Sequence, residues 1–354
     1  MKLLLLGLAI LAGLAVGAVG LPAAFLTGPL LVAAAFATNN RPVVRFPLFI
    51  YRLAQSVIGV MLSFSITANS LQTILSNWLP VVALVLAMLV LTTVIGLGLR
   101  RFAKLEPGTA LLGTLPGGAG EMIAMSDSLG ADGRLVTVMQ YGRLLAILAT
   151  ISVVGHLANA PGRTVHSSLA SAAGHHAEML NYLISVLVAL IGASLGNRFR
   201  IPAGTIIIPA TLAAVAGILG VPAAPWPPFM LAGAYLVLGL QIGGNFDAAV
   251  IKQLRRLGWF VLLSNMFLLV VSALLAACLV PLLKIDLMGA YLAATPGGLD
   301  SVGAMATDLK ADAALILAVH SLRLLSVLVI GPYLVQIVAR RLTREEGLAH
   351  EFES

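Results

Sequence analysis

The sequence predicts an all-α membrane protein made of two inverted repeats, each with about five spans plus one broken or re-entrant segment, 10–12 crossings in all. Three observations predict it: an apolar composition, an internal duplication at a fixed offset, and basic residues whose placement differs between the halves by one crossing.

With 60% hydrophobic and 10% charged residues and a mean hydropathy of +1.03, the chain lies far from a soluble domain, in which about a quarter of residues are charged. Apolar runs of ~20 residues read as membrane spans. The net charge of +7 does not make a nucleic-acid surface, which needs basic residues clustered on one face. Here Lys and Arg stand singly or in short groups between apolar runs, the pattern that orients a membrane protein. The only cysteine, Cys278, sits in an apolar run, which excludes an intrachain disulfide and a cysteine metal cluster.

The duplication is clearest at Leu115-Pro116-Gly117-Gly118-Ala119-Gly120-Glu121 and Thr295-Pro296-Gly297-Gly298-Leu299-Asp300-Ser301, 180 positions apart. Between 115–145 and 295–325 twelve of thirty-one positions are identical without a gap, among them Arg143-Leu144-Leu145 and Arg323-Leu324-Leu325. Upstream, Leu21-Pro22-Ala23 matches Ile201-Pro202-Ala203 at the same offset.

Apolar segments run at about 3–20, 22–38, 46–65, 79–99, 107–129 and 135–156, then at about 179–196, 202–220, 227–246, 259–283, 287–309 and 313–338. Residues 1–156 form the first membrane repeat and 179–339 the second. The polar stretch 157–178 reads as a linker and 340–354 as a cytoplasmic tail. Met1 to Gly20 imitates a secretory signal, but its counterpart 179–200 is internal, so it is read as the first span. Both contain a small-xxx-small pair, Gly13/Gly17 and Gly192/Gly196, suited to close helix contact.

Loop charges set the orientation. Lys2, Arg41 with Arg45, and Arg100, Arg101 with Lys104 place the ends of segments two and four of the first half inside. Arg198 with Arg200, Lys252 with Arg255 and Arg256, and Arg340 with Arg341 place the ends of segments one and three of the second half inside. Parity is restored if one segment per half fails to span. The Pro-Gly-Gly segment is the natural one, so the halves are expected to run oppositely, with the linker outside and both termini inside.

Proline removes a backbone donor, and glycine costs ~1 kcal/mol relative to alanine in a helix, so Pro116-Gly117-Gly118 and Pro296-Gly297-Gly298 are expected to break their helices. In hydrocarbon such a break must be buried in protein or line a wet cavity. It exposes helix ends, and the half-helices starting after Gly118 and Gly298 would present amide groups to a ligand. One such motif reads as a packing kink; two at equivalent places, followed by Glu121 and by Asp300 and Ser301, favour a site.

Few other ionisable residues interrupt the apolar segments. Asp127 and Asp308 lie near the ends of the Pro-Gly-Gly segments, Asp132 and Asp312 open the following helices, and Arg143 and Arg323 lie within those helices. An intramembrane arginine needs an acidic partner, backbone carbonyls or water, and Glu121 and Asp300 are the carboxylates expected by repeat symmetry. Such a pair either staples the broken segment to its neighbour or forms a substrate or coupling-ion site; the two roles are compatible. Gln140 and His320 precede the arginines by three residues on the same helix face. His320 reads as either a proton relay or a hydrogen-bonded packing residue. A further polar group, Gln241, Asn245 and Asp247, is a secondary candidate, with Gln55, Ser63 and Ser65 in the counterpart region.

The sequence has no Gly-x-Ser-x-Gly elbow, no phosphate-binding Gly-x-x-x-x-Gly-Lys-Ser/Thr and no His-Glu-x-x-His, so no enzyme is expected. The linker histidines His166, His175 and His176 are too irregularly spaced for a metal site, and neither a metal nor another cofactor is expected beyond Na⁺ or H⁺ as coupling ion.

The duplicated Pro-Gly-Gly segment, the run Leu-Pro-Ala-Ala-Phe-Leu-Thr-Gly-Pro-Leu at 21–30 and the two Arg-Leu-Leu helices resemble the AbrB-type bacterial membrane proteins. These carry an "AbrB duplication" and are often labelled ammonia monooxygenases or regulators. The family is similar in turn to the cation:proton antiporter and anion transporter superfamily. That likeness implies inverted repeats with crossing broken helices at 116–121 and 296–301, alternating access, and a homodimer. The paired aspartates of the sodium/proton antiporters have no clear match in this sequence, and no copper or iron ligand cluster supports the monooxygenase label.

The expected function is secondary transport of a small solute in the bacterial inner membrane, a small organic anion moved with Na⁺ or H⁺. The expected partners are the lipid bilayer, that solute and a second copy of the chain. The rival expectations are a cation/proton antiporter and a membrane-embedded sensor that affects gene expression without flux.

Overall fold

The computed structural model describes residues 1–19, 23–64, 72, 75–76, 78–117, 119–157, 179–199, 204–221, 224–246, 248–283, 285–309 and 313–353. Among the described residues the fold is all-helical. The first half holds α1 (Lys2–Ala18), α2 (Ala24–Thr38), α3 (Leu48–Ser63), α4 (Trp78–Ala103), α5 (Pro107–Thr114), α6 (Ala119–Ser128) and α7 (Gly133–Leu157). The second holds α8 (Met179–Arg198), α9 (Gly204–Ile218), α10 (Pro228–Gly243), α11 (Ala248–Leu283), α12 (Leu287–Ala294), α13 (Leu299–Asp308) and α14 (Ala313–Glu353). Adding 180 to the bounds of α2, α3, α5 and α6 gives those of α9, α10, α12 and α13. The duplication seen around the Pro-Gly-Gly motif therefore extends to four of the seven helix pairs.

Local chemistry accounts for the boundaries. Asp132 caps α7, its Oδ1 accepting from the amides of Arg134 at 2.9 Å and Leu135 at 3.1 Å. Asp286 caps α12 by accepting from the Gly289 amide at 2.7 Å. Arg100 and Arg101 sit in the last turn of α4, where they complement the negative end of the helix dipole. α14 bends by 43° between Val327 and Val329, one turn before Pro332, whose ring clashes with the carbonyl four residues earlier.

The first three helices of each half pack together: α2 against α1 and α10, and α9 against α8 and α3. Glycine and proline make this contact close in both copies. A Cβ on Gly59 of α3 would collide with the Ile206 carbonyl and the Pro209 ring of α9; one on Gly239 of α10 would collide with the Leu26 carbonyl and approach Pro29 of α2. Gly59 and Gly239 are repeat equivalents, as are Pro209 and Pro29. The small-residue pairs also act as expected, with Gly13 against Phe25, Gly17 against Ala24, Gly192 against Pro209 and Gly196 against Gly204.

The last four helices of each half form the second group. α11 packs on α4, α7 and α12, while α14 packs on α4, α5, α12 and α13. The two groups meet where α3 touches α13 and α14, and where α2 touches α11.

Among the described residues three helical stretches are long and apolar enough to cross a membrane: Trp78–Ala103, Met179–Arg198 and Leu257–Leu283; the bent α14 makes a fourth if counted as one span. Five other apolar helices, α1, α2, α3, α9 and α10, have 15–17 residues, at or below the lower limit of ~17 for an upright span. Helix length thus supports a membrane protein with fewer unambiguous crossings than the apolar runs alone suggested. Their unpaired length falls at kinks and connections that hydropathy does not distinguish from helix.

Candidate functional site at the paired helix breaks

Each Pro-Gly-Gly segment breaks its helix as expected. α5 and α12 have eight residues each, and α6 and α13 ten, so at 1.5 Å per residue none approaches the ~30 Å hydrocarbon core. The residue before each proline is driven out of the helical region: Leu115 has φ −59° and ψ 131°, Thr295 φ −71° and ψ 134°. The amide of Gly117 then reaches back to the Leu115 carbonyl at 2.9 Å, and that of Gly297 to the Thr295 carbonyl at 2.9 Å. Each closes a three-residue turn around a proline whose φ suits an inverse γ-turn.

Glycine is required at the second motif position for space. A Cβ on Gly117 would press on Met122, and one on Gly297 would collide with Val302. Among the described residues, a Cβ on Gly298 would meet the Ser301 Oγ, at 3.7 Å.

The arginines brace these breaks. Arg143 is 3% exposed and Arg323 2%. Arg143 donates from Nη1 to the carbonyls of Thr114 at 3.0 Å and Leu115 at 3.3 Å, and from Nη2 to the Gln140 Oε1. Arg323 donates from Nη1 to the Thr295 carbonyl at 2.9 Å and from Nη2 to the Gly297 carbonyl at 2.6 Å. The carbonyls at the ends of α5 and α12 lack intrahelical partners and carry the negative end of the helix dipole, so a buried cation is well placed there.

Of the partners open to an intramembrane arginine, the described residues supply backbone carbonyls together with Gln140 and His320. The side chains of Glu121 and Asp300 lie outside the described residues, as do those of Asp127 and Asp308, the whole of Gly118, Asp247 and Asp312, and the linker histidines.

Gln140 and His320 do the same work in the two halves. The Gln140 Nε2 donates to the carbonyls of Leu112 at 2.7 Å and Leu115 at 3.1 Å. The His320 Nε2 bonds the carbonyl of Leu292, the repeat equivalent of Leu112, at 3.0 Å, while its Nδ1 faces the Arg323 Nη2 at 3.3 Å. A carbonyl only accepts and a guanidinium only donates, so the His320 ring is neutral, with its hydrogen on Nε2. Both nitrogens are engaged in the brace.

The two breaks form one cluster. α5 packs on α14, the Tyr291 hydroxyl of α12 lies 3.3 Å from the Thr150 Oγ1 of α7, and Gly297 faces Ile147 of α7. Ser301, 2% exposed, donates from Oγ to the Gly298 carbonyl at 3.1 Å.

Of the secondary group, Gln241 and Asn245 find their partners elsewhere, and Ser65 lies outside the described residues. The Gln241 Oε1 accepts from the Phe46 amide at 3.3 Å, and the Asn245 Nδ2 donates to the Tyr141 hydroxyl at 2.8 Å, which ties the end of α10 to α7. Gln55 accepts from the Thr205 hydroxyl, and Ser63 donates to the Val60 carbonyl. Thr114 and Thr295 were missed by sequence reading, because they enter through their carbonyl oxygens, which every residue carries.

The sequence profile of the AbrB family, described as "Transition state regulatory protein AbrB", matches residues 26–339. The chain is 35% identical over 327 residues to the Escherichia coli (strain K12) protein named "Putative regulator AbrB", covering 91% of this chain and 92% of that one. It is 25% identical over 296 residues to the Bacillus subtilis (strain 168) "Uncharacterized protein YhjN", covering 79% and 76%. No solved structure matches. A family match over nearly the whole chain, with a relative 35% identical over 91% of it, means that the protein belongs to the AbrB family.

Proposed function

We propose that the chain is a secondary active transporter of a small solute, a small organic anion coupled to Na⁺ or H⁺, which works by alternating access between the two broken segments. The observation that carries this reading is the pair of equivalent helix breaks, clustered in the protein interior and each braced by a buried arginine. Broken helices whose ends face one another are the means by which inverted-repeat transporters build a polar site inside a bilayer. In this reading each half contributes about five spans plus its broken segment, the halves run oppositely, and the protein is an inner-membrane homodimer with both termini in the cytoplasm. Glu121 and Asp300 beside the breaks also suit a cation/proton antiporter.

The test is flux. Proteoliposomes holding the purified chain should accumulate an organic acid under an imposed Na⁺ or pH gradient. Uptake of cations alone would select the antiporter. Absence of any flux from folded protein would favour the second reading, a regulator without transport, which rests on the printed name of the Escherichia coli relative.

A further inference from the structure

We propose that Arg52 and Arg198 hold the phosphate of an anionic phospholipid, at the corner where the start of α3 meets the end of α8. The site does not depend on the transport reading.

The six helices α1–α3 and α8–α10 carry charge of one sign only. Residues 1–64 and 179–246 contain no aspartate or glutamate, and their basic residues are Lys2, Arg41, Arg45, Arg52, Arg198 and Arg200. Of these, Arg200 lies outside the described residues, and the other five gather at one end of the group. Leu5 near the start of α1, Phe36 near the end of α2 and Leu240 near the end of α10 share a small core, against which Val43, Val44 and Phe46 pack. This places Lys2, Arg41 and Arg45 at that end. The chain passes from there into α3, where the Arg52 Nη1 donates to the Asn197 Oδ1 of α8, and Arg198 follows as the last residue of that helix.

The described partner of the half-buried Arg52 is thus a neutral amide, and its own helical group supplies no carboxylate to offset either guanidinium. α8 has 20 residues, about 30 Å at 1.5 Å per residue, which matches the hydrocarbon core and sets Arg198 at headgroup depth. Leu48 and Phe49 in the first turn of α3, and Phe199 just beyond α8, are exposed, so apolar surface adjoins the cations. A phospholipid complements both: its phosphate takes the paired N–H donors of a guanidinium, and its acyl chains cover the apolar side chains. An acidic protein segment complements only the first. A zwitterionic headgroup brings its own cation beside the guanidiniums, so a headgroup of net negative charge is favoured.

The duplication supplies an internal comparison. α1 packs on α10 as α8 packs on α3. At the equivalent corner Phe229 and Val19 stand in place of Phe49 and Phe199 and are likewise exposed, but Ala232 and Ala18 replace Arg52 and Arg198. The apolar walls are kept at both corners and the cations are confined to one, so packing of the helices does not account for the arginines.

Native mass spectrometry of the purified full-length chain in detergent, titrated with phosphatidylglycerol or with phosphatidylcholine of the same acyl chains, tests the site. Phosphatidylglycerol should stay bound at a concentration where phosphatidylcholine does not, and inorganic phosphate should not displace it. Arg52→Gln and Arg198→Gln should each weaken retention by ~5-fold, and together by ~25-fold. Arg101→Gln, which removes an exposed charge from the last turns of α4, should retain the lipid as the parent does. Thermal midpoints check folding; if Arg52→Gln unfolds, Arg198→Gln decides, because that side chain is exposed. The proposal is overturned if neither lipid is retained, if phosphatidylcholine is held equally, if inorganic phosphate competes, or if both arginine variants retain phosphatidylglycerol as the parent does. A loss for Arg101→Gln equal to that for Arg198→Gln also overturns it, since retention would then follow net charge and not this corner.

Discussion

Replacing Arg323 by methionine removes a charge but keeps the length of the side chain, and its cost follows from what the guanidinium satisfies. The Thr295 carbonyl keeps a second donor, the Gly297 amide at 2.9 Å. The Gly297 carbonyl and the His320 Nδ1 lose the donor described above, in a buried setting. Two orphaned acceptors at ~1–3 kcal/mol each, partly offset because a buried charge no longer has to be desolvated, give a net loss of about 2–4 kcal/mol. Thermal unfolding followed by the fluorescence of the three tryptophans should show a midpoint lower by roughly 3–5 °C. Arg323→Lys should recover part of the loss, because an ammonium still donates to one of the carbonyls. An unchanged midpoint for Arg323→Met would refute the brace, for it would mean that the carbonyls at the second break are satisfied without the guanidinium.

Three further outcomes are expected. His320→Gln should cost less than ~1 kcal/mol, because glutamine already performs this role at position 140 in the first half, donating to the carbonyl and accepting from the arginine; a larger loss, read from the same midpoints, would show that the imidazole does something an amide cannot. Gly59→Ala and Gly239→Ala should each destabilise by ~1–3 kcal/mol, since the added methyl meets backbone and forces the helices apart. Gly98→Ala, with open space around its Cβ, should be neutral or stabilising by up to ~1 kcal/mol; equal midpoints for all three would refute the close packing of α3 on α9 and α10 on α2. In a Cys278→Ser background, a cysteine at Ala173 should react with an impermeant thiol reagent applied to intact cells and one at Gln253 should not; the reverse pattern would refute the opposed orientation of the halves.

The sequence by itself determined the repeat and its register. Proline and glycine act on their own backbone, so the breaks at 116 and 296 could be placed from residue type alone, and equivalent helices followed at a constant offset. It also marked the arginines as needing partners, because a cation in hydrocarbon is costly whatever surrounds it. Which partner each found was decided by tertiary structure. Carboxylates are visible in a sequence and drew the expectation to Glu121 and Asp300. Among the described residues the acceptors are carbonyls of Thr114, Leu115, Thr295 and Gly297, freed by the helix breaks themselves. A carbonyl belongs to every residue and becomes an acceptor in search of a donor only when a helix ends, so its role depends on geometry that residue identity does not carry. The same holds for Gly298, which reads like its neighbour Gly297 in the sequence. Among the described residues, Val302 crowds Gly297 while Gly298 meets the Ser301 Oγ at ordinary contact distance.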